Sequence, residues 1–358
     1  MNFTLFGYPK AGKTTLFNIL TGARAEISAY EGGRREAHER IVPLPDPRLE
    51  RLAALYPDKK KTAAAVEIID LAGVSYGEVK DTVFLNSLRQ ADILVHVVRG
   101  FRDSLVPHAK PVIDPAAEIR AMEDELILAD LVQVETRLAK LDLDLKKAKN
   151  PEAEKERDIL RRIQPHLEGG SPLRTRAWAE AEERQVRAFA FLSLKPILHI
   201  VNGDEADVSK LPALEKESGP PSLNAAILAA CGRIECEILD IEDPGDKAAF
   251  LAEYGLKETT PARFFSAVIG LMNLIFFYTI GKDEVRAWPL RRNAPALRAA
   301  GTIHTDIEKG FIRAEVVAAE ELFRLGSWQQ AKEAGALRLE GRDYIVRDGD
   351  VIYFRFAA

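Results

Sequence analysis

The octapeptide GYPKAGKT, residues 7–14, constrains the fold more than any other stretch of the chain. It fits the pattern G-x-x-x-x-G-K-[ST], which forms a phosphate-cradling loop when a strand precedes it and a helix follows. Both neighbours are predicted here, because NFTLF (2–6) is typical of a buried strand and TTLFNIL (14–20) of a helix. The motif therefore indicates a phosphate site on an α/β sheet.

Each position of this loop has an expected task. Glycines at both ends let successive backbone N–H groups turn toward phosphate oxygens. The Lys13 ammonium would reach the β- and γ-phosphates, which makes Lys13 a candidate catalytic residue, and the Thr14 hydroxyl would hold Mg²⁺. The residues expected to contact the nucleotide here are Gly7, Lys10, Ala11, Gly12, Lys13, Thr14 and Thr15.

A second phosphate-sensing element is predicted in IIDLAG, residues 68–73. Asp70 ends an apolar strand, where its carboxylate would bind Mg²⁺ directly or through water, and Gly73 would offer its N–H to the γ-phosphate. Val74 follows, where many GTPases place a water-orienting glutamine. Because valine cannot hydrogen-bond the attacking water, any hydrolysis must use another group.

The stretch ILHIVNGDE, residues 197–205, stands where guanine-binding proteins usually carry Asn-Lys-x-Asp. Here Asn202 is kept, the lysine is missing, and Glu205 replaces the aspartate that accepts from guanine N1 and N2. These residues alone make guanine doubtful without establishing adenine. ACGRIE (230–235), with Cys231 and Gly232, follows the next strand and is a candidate purine-binding loop.

Alternation of strands and helices predicts a parallel sheet covered on both faces. The predicted strands are residues 2–6, 66–70, 93–98, 196–202 and 223–230. Residues 116–192 interrupt this rhythm with apolar residues at heptad spacing, which predicts an antiparallel helical arm inserted into the sheet domain. Two ordinary helices packed on the sheet remain the alternative. The predicted seam is formed by Ile127, Leu131, Val134, Leu138, Leu141 and Leu145.

The end of the chain indicates a second domain. A helix is predicted near residues 261–278, after which short β-rich runs such as VIYFRF alternate with turns. We therefore expect a nucleotide-binding domain over residues 1–278 and a small α+β domain over 279–358.

Composition excludes several classes of protein. The net charge of −5 gives no overall basic field for nucleic acid, and no apolar run is long enough to span a membrane. The first residues lack the pattern of a secretory signal, and two cysteines do not make a disulfide scaffold. We expect a cytoplasmic monomer.

Over nearly its whole length the chain resembles the YchF subfamily of Obg-like P-loop ATPases. The motifs that carry the resemblance include GYPKAGKTTLFNILT, IIDLAGV, AAGTIHTDIEKGFIRAEVV and KEAGALRLEGRDYIVRDGDVIYFRF. The resemblance implies that the C-terminal domain is a TGS domain with a β-grasp fold, that Asn202 and Glu205 go with ATP over GTP, and that the ribosome or its RNA is a partner. It also places a hydrolytic histidine in the loop that contains His108.

Departures from the family pattern cluster in the elements that sense the γ-phosphate. Arg34 stands near the expected first-switch threonine, the second switch is shorter, and Lys10 replaces the loop asparagine. The favoured function is a Mg²⁺-dependent ATP switch with slow hydrolysis. A scaffold that holds ATP without turning it over is the alternative. A small-molecule kinase is disfavoured, because the sequence shows no lid-like arginine cluster.

Overall fold

The structure is a computed structural model, and it describes residues 1–25, 37–73, 81–103, 106, 112–217 and 224–357. The strands are β1 (Asn2–Phe6), β2 (His38–Pro43), β3 (Lys60–Thr62), β4 (Ala65–Asp70), β5 (Ile93–Gly100), β6 (Ile197–Gly203), β7 (Ala225–Ala230), β8 (Leu274–Ile280), β9 (Glu284–Arg291), β10 (Phe311–Ala318), β11 (Arg338–Glu340) and β12 (Asp350–Phe356).

Helices of very different length connect these strands. They are α1 (Lys13–Thr21), α2 (Pro47–Leu55), α3 (Thr82–Gln90), α4 (Pro115–Lys147), α5 (Pro151–Glu168), α6 (Glu180–Arg187), α7 (Leu211–Glu217), α8 (Gly232–Leu239), α9 (Pro244–Glu253), α10 (Thr260–Leu271), α11 (Ala296–Ile303), α12 (Thr305–Lys309), α13 (Ala319–Leu325) and α14 (Trp328–Glu333).

The chain divides into two compact units, one made of residues 1–41 and 67–271 and the other of residues 42–66 and 272–358. The expected boundary between residues 278 and 279 falls inside β8. The helix expected near 261–278 ends at Leu271, because Asn273 takes a left-handed φ of 52° and the branched and aromatic residues that follow pair with β9 instead.

The first unit is built on a six-stranded sheet in the order β2-β4-β1-β5-β6-β7. The neighbours β4-β1, β1-β5, β5-β6 and β6-β7 are parallel. The carboxyl ends of parallel strands meet at one edge, so the residues that follow β1, β4, β6 and β7 come together there. The five predicted strands are confirmed, and β2 was not predicted.

The predicted arm consists of α4 and α5, joined by a turn at residues 148–150. Asn150 caps α5 and Pro151 is its first residue. The seam is confirmed for Ile127, Val134, Leu138 and Leu141, which pack against α5, and Leu131 is partly buried beside them. Leu145 is half-buried outside this cluster. The apolar residues that α5 contributes are Ile159, Leu160, Ile163 and Leu167.

The second unit has its own six-stranded sheet in the order β11-β10-β12-β8-β9-β3. Its edge strand β3 comes from residues 60–62 and pairs in parallel with β9. Side chains from residues 42–66 also bind to the rest of this unit. Arg48 donates to Asp348 at 2.8 Å, and the Tyr278 hydroxyl donates to Asp46 at 2.6 Å. The C-terminal domain is therefore completed by residues from early in the chain.

Among the described residues, no helix combines the length and apolarity that crossing a membrane requires.

Candidate functional site

The loop between β1 and α1 has the conformation that the phosphate motif predicts. Gly7 and Gly12 have φ values of 144° and 97°, a region that other residues rarely adopt. A Cβ at Gly7 would lie 2.4 Å from the Val97 carbonyl oxygen, and one at Gly12 would lie 2.2 Å from Nδ2 of Asn202. Both contacts are impossible, so packing as well as φ requires glycine at both ends of the loop.

Lys10 also has a left-handed backbone, with φ 64°. Asparagine tolerates this region better than lysine, because its short polar side chain can bond locally. The family asparagine implied by the resemblance thus has a conformational reason, and Lys10 occupies the position at some cost.

Lys13 is buried at the start of α1, with 8% of the residue exposed. Its ammonium donates to the carbonyl oxygens of Gly7 (3.2 Å) and Tyr8 (3.0 Å), which places the charge inside the curve of the loop. Gly73 lies against the same group, since a Cβ there would be 2.9 Å from Lys13 Nζ. The two predicted phosphate elements therefore meet around one ammonium.

Thr14 and Asp70, the two residues predicted to bind Mg²⁺, are in contact with each other. The Thr14 hydroxyl donates to Oδ2 of Asp70 at 2.7 Å, and Asp70 is buried at the carboxyl end of β4. Adjacent oxygens around an octahedral Mg²⁺ lie roughly 3 Å apart when each bond is about 2.1 Å. A hydroxyl and a carboxylate at this separation fit Mg²⁺, which prefers few protein oxygens and completes its shell with phosphate and water.

Asn202 connects the phosphate loop to the candidate base loop. Its Nδ2 donates to the Ala11 carbonyl at 3.0 Å, and its Oδ1 accepts from the Gly232 N–H at 3.0 Å. Thr15 approaches the same loop, because a Cβ at Gly232 would lie 3.2 Å from its methyl group. An amide nitrogen has two hydrogens, so one Asn202 N–H remains for a purine nitrogen. The sequence did not indicate this bracing task.

Glu205 lies at the rim of this region, and its Oε2 is 3.3 Å from Nε of Arg233. The pair offers an acceptor and a donor side by side. Cys231 is buried as the residue that caps α8, and burial raises the pKa of its thiol. Cys231 therefore packs the loop as a neutral side chain at neutral pH.

His108, Arg34 and Val74 lie outside the residues that the structure describes. The hydrolytic task expected of His108, and the positions expected for Arg34 and Val74 in the two switches, stay predictions.

Sequence inspection missed a buried polar chain beneath the phosphate loop. His96 on β5 and His199 on β6 are register partners, and their Nδ1 atoms are 3.0 Å apart. His199 Nε2 is 3.3 Å from Oε1 of Glu123 on α4, and Nη1 of Arg174 donates to both Glu123 oxygens at 2.7 and 2.8 Å. The only sequence signal was a histidine within each of two apolar strands.

Burial determines the protonation states of these hydrogen-bonded side chains. It lowers the pKa of both histidines, and for His96 the neighbouring His199 and Lys13 lower it further, while Glu123 opposes the shift for both. Burial alone would raise the pKa of Glu123, but Arg174 and His199 bring it down to about 2. At neutral pH the chain therefore holds two neutral imidazoles, one carboxylate and one guanidinium.

We expect the neutral histidines to make the protein acid-labile below about pH 6.5, where the unfolded chain binds protons that the native state refuses. Stability then falls as pH decreases, by at most about 1.4 kcal/mol per pH unit for each histidine. Urea unfolding at pH 7.5, 6.5 and 5.5 measures this slope. The double variant His96→Asn/His199→Gln should flatten it, whereas His304→Asn, an exposed-site control, should keep it. An unchanged slope in the double variant would contradict the assignment.

These features define a P-loop nucleotide-binding protein. They are the glycine-rich loop around the buried Lys13, the oxygen pair of Thr14 and Asp70, and the candidate base loop bonded to Asn202, all at one edge of a parallel sheet. A family model described as 50S ribosome-binding GTPase matches residues 2–147, and a YchF GTPase C-terminal model, described as a protein of unknown function, matches residues 274–357. The chain belongs to the YchF family.

The relatives match over almost their whole length. The chain is 38% identical to ribosome-binding ATPase YchF of Bacillus subtilis, with 98% of each covered, and 33% identical to Obg-like ATPase 1 of Oryza sativa subsp. japonica, covering 98% of this chain and 91% of that protein. The solved Schizosaccharomyces pombe YchF GTPase has a TM-score of 0.82 at 25% identity, with 99% and 97% covered. These matches confirm the predicted family and fold class.

Proposed function

We propose that this chain binds Mg²⁺–ATP in preference to GTP, hydrolyses it slowly, and acts as a nucleotide-controlled switch on the ribosome. The observation that carries the proposal is the convergence of Lys13, the Thr14–Asp70 pair and Gly73 at one edge of the sheet. This arrangement supplies a cation for the β- and γ-phosphates, oxygens for Mg²⁺, and a backbone N–H for the γ-phosphate.

In this proposal the residues of the chain bind and orient rather than form covalent bonds. Lys13 neutralises phosphate charge, and the loop backbone from Gly7 to Gly12 holds the oxygens. Mg²⁺, held by Thr14 and Asp70, would offset the charge that builds up between the β- and γ-phosphates. The resemblance to the family implies that His108 is the residue that acts on the attacking water during hydrolysis.

Preference for adenine rests on Glu205 and its neighbour. A carboxylate accepts from the adenine N6 amino group, and the Arg233 guanidinium beside it can donate to N1. Guanine would need the two groups in the reverse order along its edge. Asn202 supports either purine, since its free amide hydrogen would reach N7.

The ribosome is proposed as a partner from the names of the relatives and of the matching family alone. The Bacillus subtilis relative is named ribosome-binding ATPase, and one matching family is described as a 50S ribosome-binding GTPase. The arm and the C-terminal domain lack the phosphate-site motifs, which fits modules that contact a partner. We propose that ATP binding controls that contact.

The base preference is tested by calorimetric titration of nucleotide-free protein with non-hydrolysable ATP and GTP analogues in Mg²⁺. We expect the ATP analogue to bind at least about tenfold tighter, a difference of about 1.4 kcal/mol. Glu205→Ala should reduce this ratio, while the matched surface control Glu242→Ala should not. Equal affinities in the unaltered protein would contradict the base assignment.

The same nucleotide states extend the test to function. Sedimentation with 50S subunits should differ between the ATP-analogue and nucleotide-free forms if the protein is a switch. Single-turnover hydrolysis separates the switch from the scaffold alternative, because the scaffold predicts binding without product.

A further inference from the structure

Two polar links join the phosphate loop to the root of the helical arm, which we define as residues 122–126 of α4. The first is direct. The hydroxyl of Tyr8, the second residue of the loop motif, donates to Oε1 of Glu125 at 2.9 Å. Tyr8 is buried in a core cluster that also contains Met122 and Leu126. The loop and the arm root thus share one hydrogen bond and one apolar core.

The second link is the buried histidine chain, and chemistry fixes its direction. Ionised Glu123 only accepts, so Nε2 of His199 carries a hydrogen. Neutral His199 then has a bare Nδ1, which accepts from Nδ1–H of His96. Nε2 of His96 is left as a bare lone pair, and among the described residues it has no hydrogen-bond partner.

The row of hydrogen-bonded side chains begins at His96, beneath the phosphate loop, and ends at Glu123 and Arg174, at the helical arm. Gly7 lies against His96, because a Cβ at Gly7 would be 3.4 Å from Cδ2 of that imidazole. At the other end, Glu123 belongs to the arm root, and Arg174 follows α5 and also donates through Nε to the Lys195 carbonyl at 2.9 Å. The start of α4 and the segment after α5 therefore both contribute a side chain to this hydrogen-bonded network.

Lys13 supplies the contact that would differ between nucleotide states. Its ammonium donates to the carbonyls of Gly7 and Tyr8, the two loop residues at which the links begin. Phosphate oxygens would compete with those carbonyls for the same donor. A ligand can shift a conformational equilibrium only through such differential contacts.

We propose that the phosphate loop and the arm root form one coupled unit, through which nucleotide held by Lys13 stabilises the arm. This inference rests on the proposed nucleotide binding and adds the route by which binding reaches α4 and α5. The route consists of the Tyr8–Glu125 bond and the His96–His199–Glu123–Arg174 chain.

Hydrogen exchange measured by mass spectrometry tests the coupling in the full-length protein, with and without a saturating non-hydrolysable ATP analogue. We expect the analogue to slow exchange both in loop peptides and in arm peptides, the latter by about fivefold or more. The variant Tyr8→Phe/His199→Gln breaks both links, because phenylalanine lacks the hydroxyl and glutamine keeps only the donor to Glu123. Its arm response should fall below about twofold, within the range of negligible coupling.

Controls separate coupling from general loss of stability. Tyr278→Phe makes the same chemical change at a buried tyrosine–carboxylate bond in the C-terminal unit, and it should keep the full arm response. If the double variant is too unstable, Tyr8→Phe alone should still lower the arm response measurably. Saturation of each variant is verified by titration.

The outcomes distinguish the two proposals. Loop protection with an unchanged arm, or an arm response that survives the double variant, overturns the coupling and leaves the proposed nucleotide binding intact. Absence of protection in the loop with any nucleotide overturns nucleotide binding and the coupling with it. Loop protection with an arm response that the variants reduce supports both.

Discussion

Alanine at position 13 is expected to weaken binding of nucleoside triphosphate by about 100-fold or more. Two charge-assisted hydrogen bonds to phosphate contribute about 1.5–3 kcal/mol each, so their joint loss corresponds to at least two orders of magnitude in affinity. The Lys13 ammonium is held inside the loop by the Gly7 and Tyr8 carbonyls, and alanine has no donor to take its place there. Calorimetric titration with the ATP analogue measures the change.

The control for Lys13→Ala is Lys257→Ala, which removes an exposed lysine of the same unit and should leave the affinity unaltered. Any hydrolysis should disappear with Lys13, since in the proposed complex the same ammonium would contact the transferred phosphate. Retention of affinity within about threefold, less than 1 kcal/mol, would show that Lys13 does not hold the phosphates.

Arg174→Met is expected to destabilise the protein by about 3–5 kcal/mol, because it leaves the Glu123 carboxylate buried without its cation. Replacing both partners, as in Arg174→Met/Glu123→Leu, should recover a large part of that loss, since an apolar pair carries no unpaired charge. Urea unfolding at pH 7.5 gives the free energies. The lowered pKa of Glu123 stabilises the native state fully above about pH 4.5, and this stabilisation is lost as the pH falls toward the native pKa of about 2. At pH 7.5 the full contribution of Glu123 is therefore present.

The exposed pair Arg161–Asp142, at 3.1 Å, provides the matched control. Arg161→Met should cost less than about 1 kcal/mol, because solvent screens the pair and either charge is easily hydrated alone. If Arg174→Met cost no more than Arg161→Met, the buried chain would not have the energetic role that its geometry indicates.

Local patterns in the sequence were sufficient for the phosphate loop and the arm. Gly7, Gly12 and Lys13 belong to one short motif, and heptad spacing identifies the seam from Ile127 to Leu141. Both signals depend on residues that are neighbours in the chain. The run after Asn273 was misread as helix because a short apolar stretch has no periodicity that separates a buried strand from a buried helix.

Contacts between distant segments that no known motif marks could not be predicted. His96 meets His199 only because β5 and β6 are adjacent and in one particular register. Shifting that register by one residue would turn one imidazole to the other face of the sheet. For Asn202 the sequence predicted a contact with the base, which stays a prediction, and its bonds to Ala11 and Gly232 followed only from the folded sheet edge.

The edge strand β3 has a consequence for the order in which the chain is made. Its partner β9 leaves the ribosome roughly 200 residues later, which at 5–20 residues per second is a delay on the order of 10–40 s. During translation, residues 60–62 are a strand without a sheet, a state that invites pairing with the wrong chain. Lys59, Lys60 and Lys61 place three positive charges at this strand. Like charges on such segments of neighbouring nascent chains would repel each other, and we expect this repulsion to oppose wrong pairing of β3 until its own partner has been synthesised.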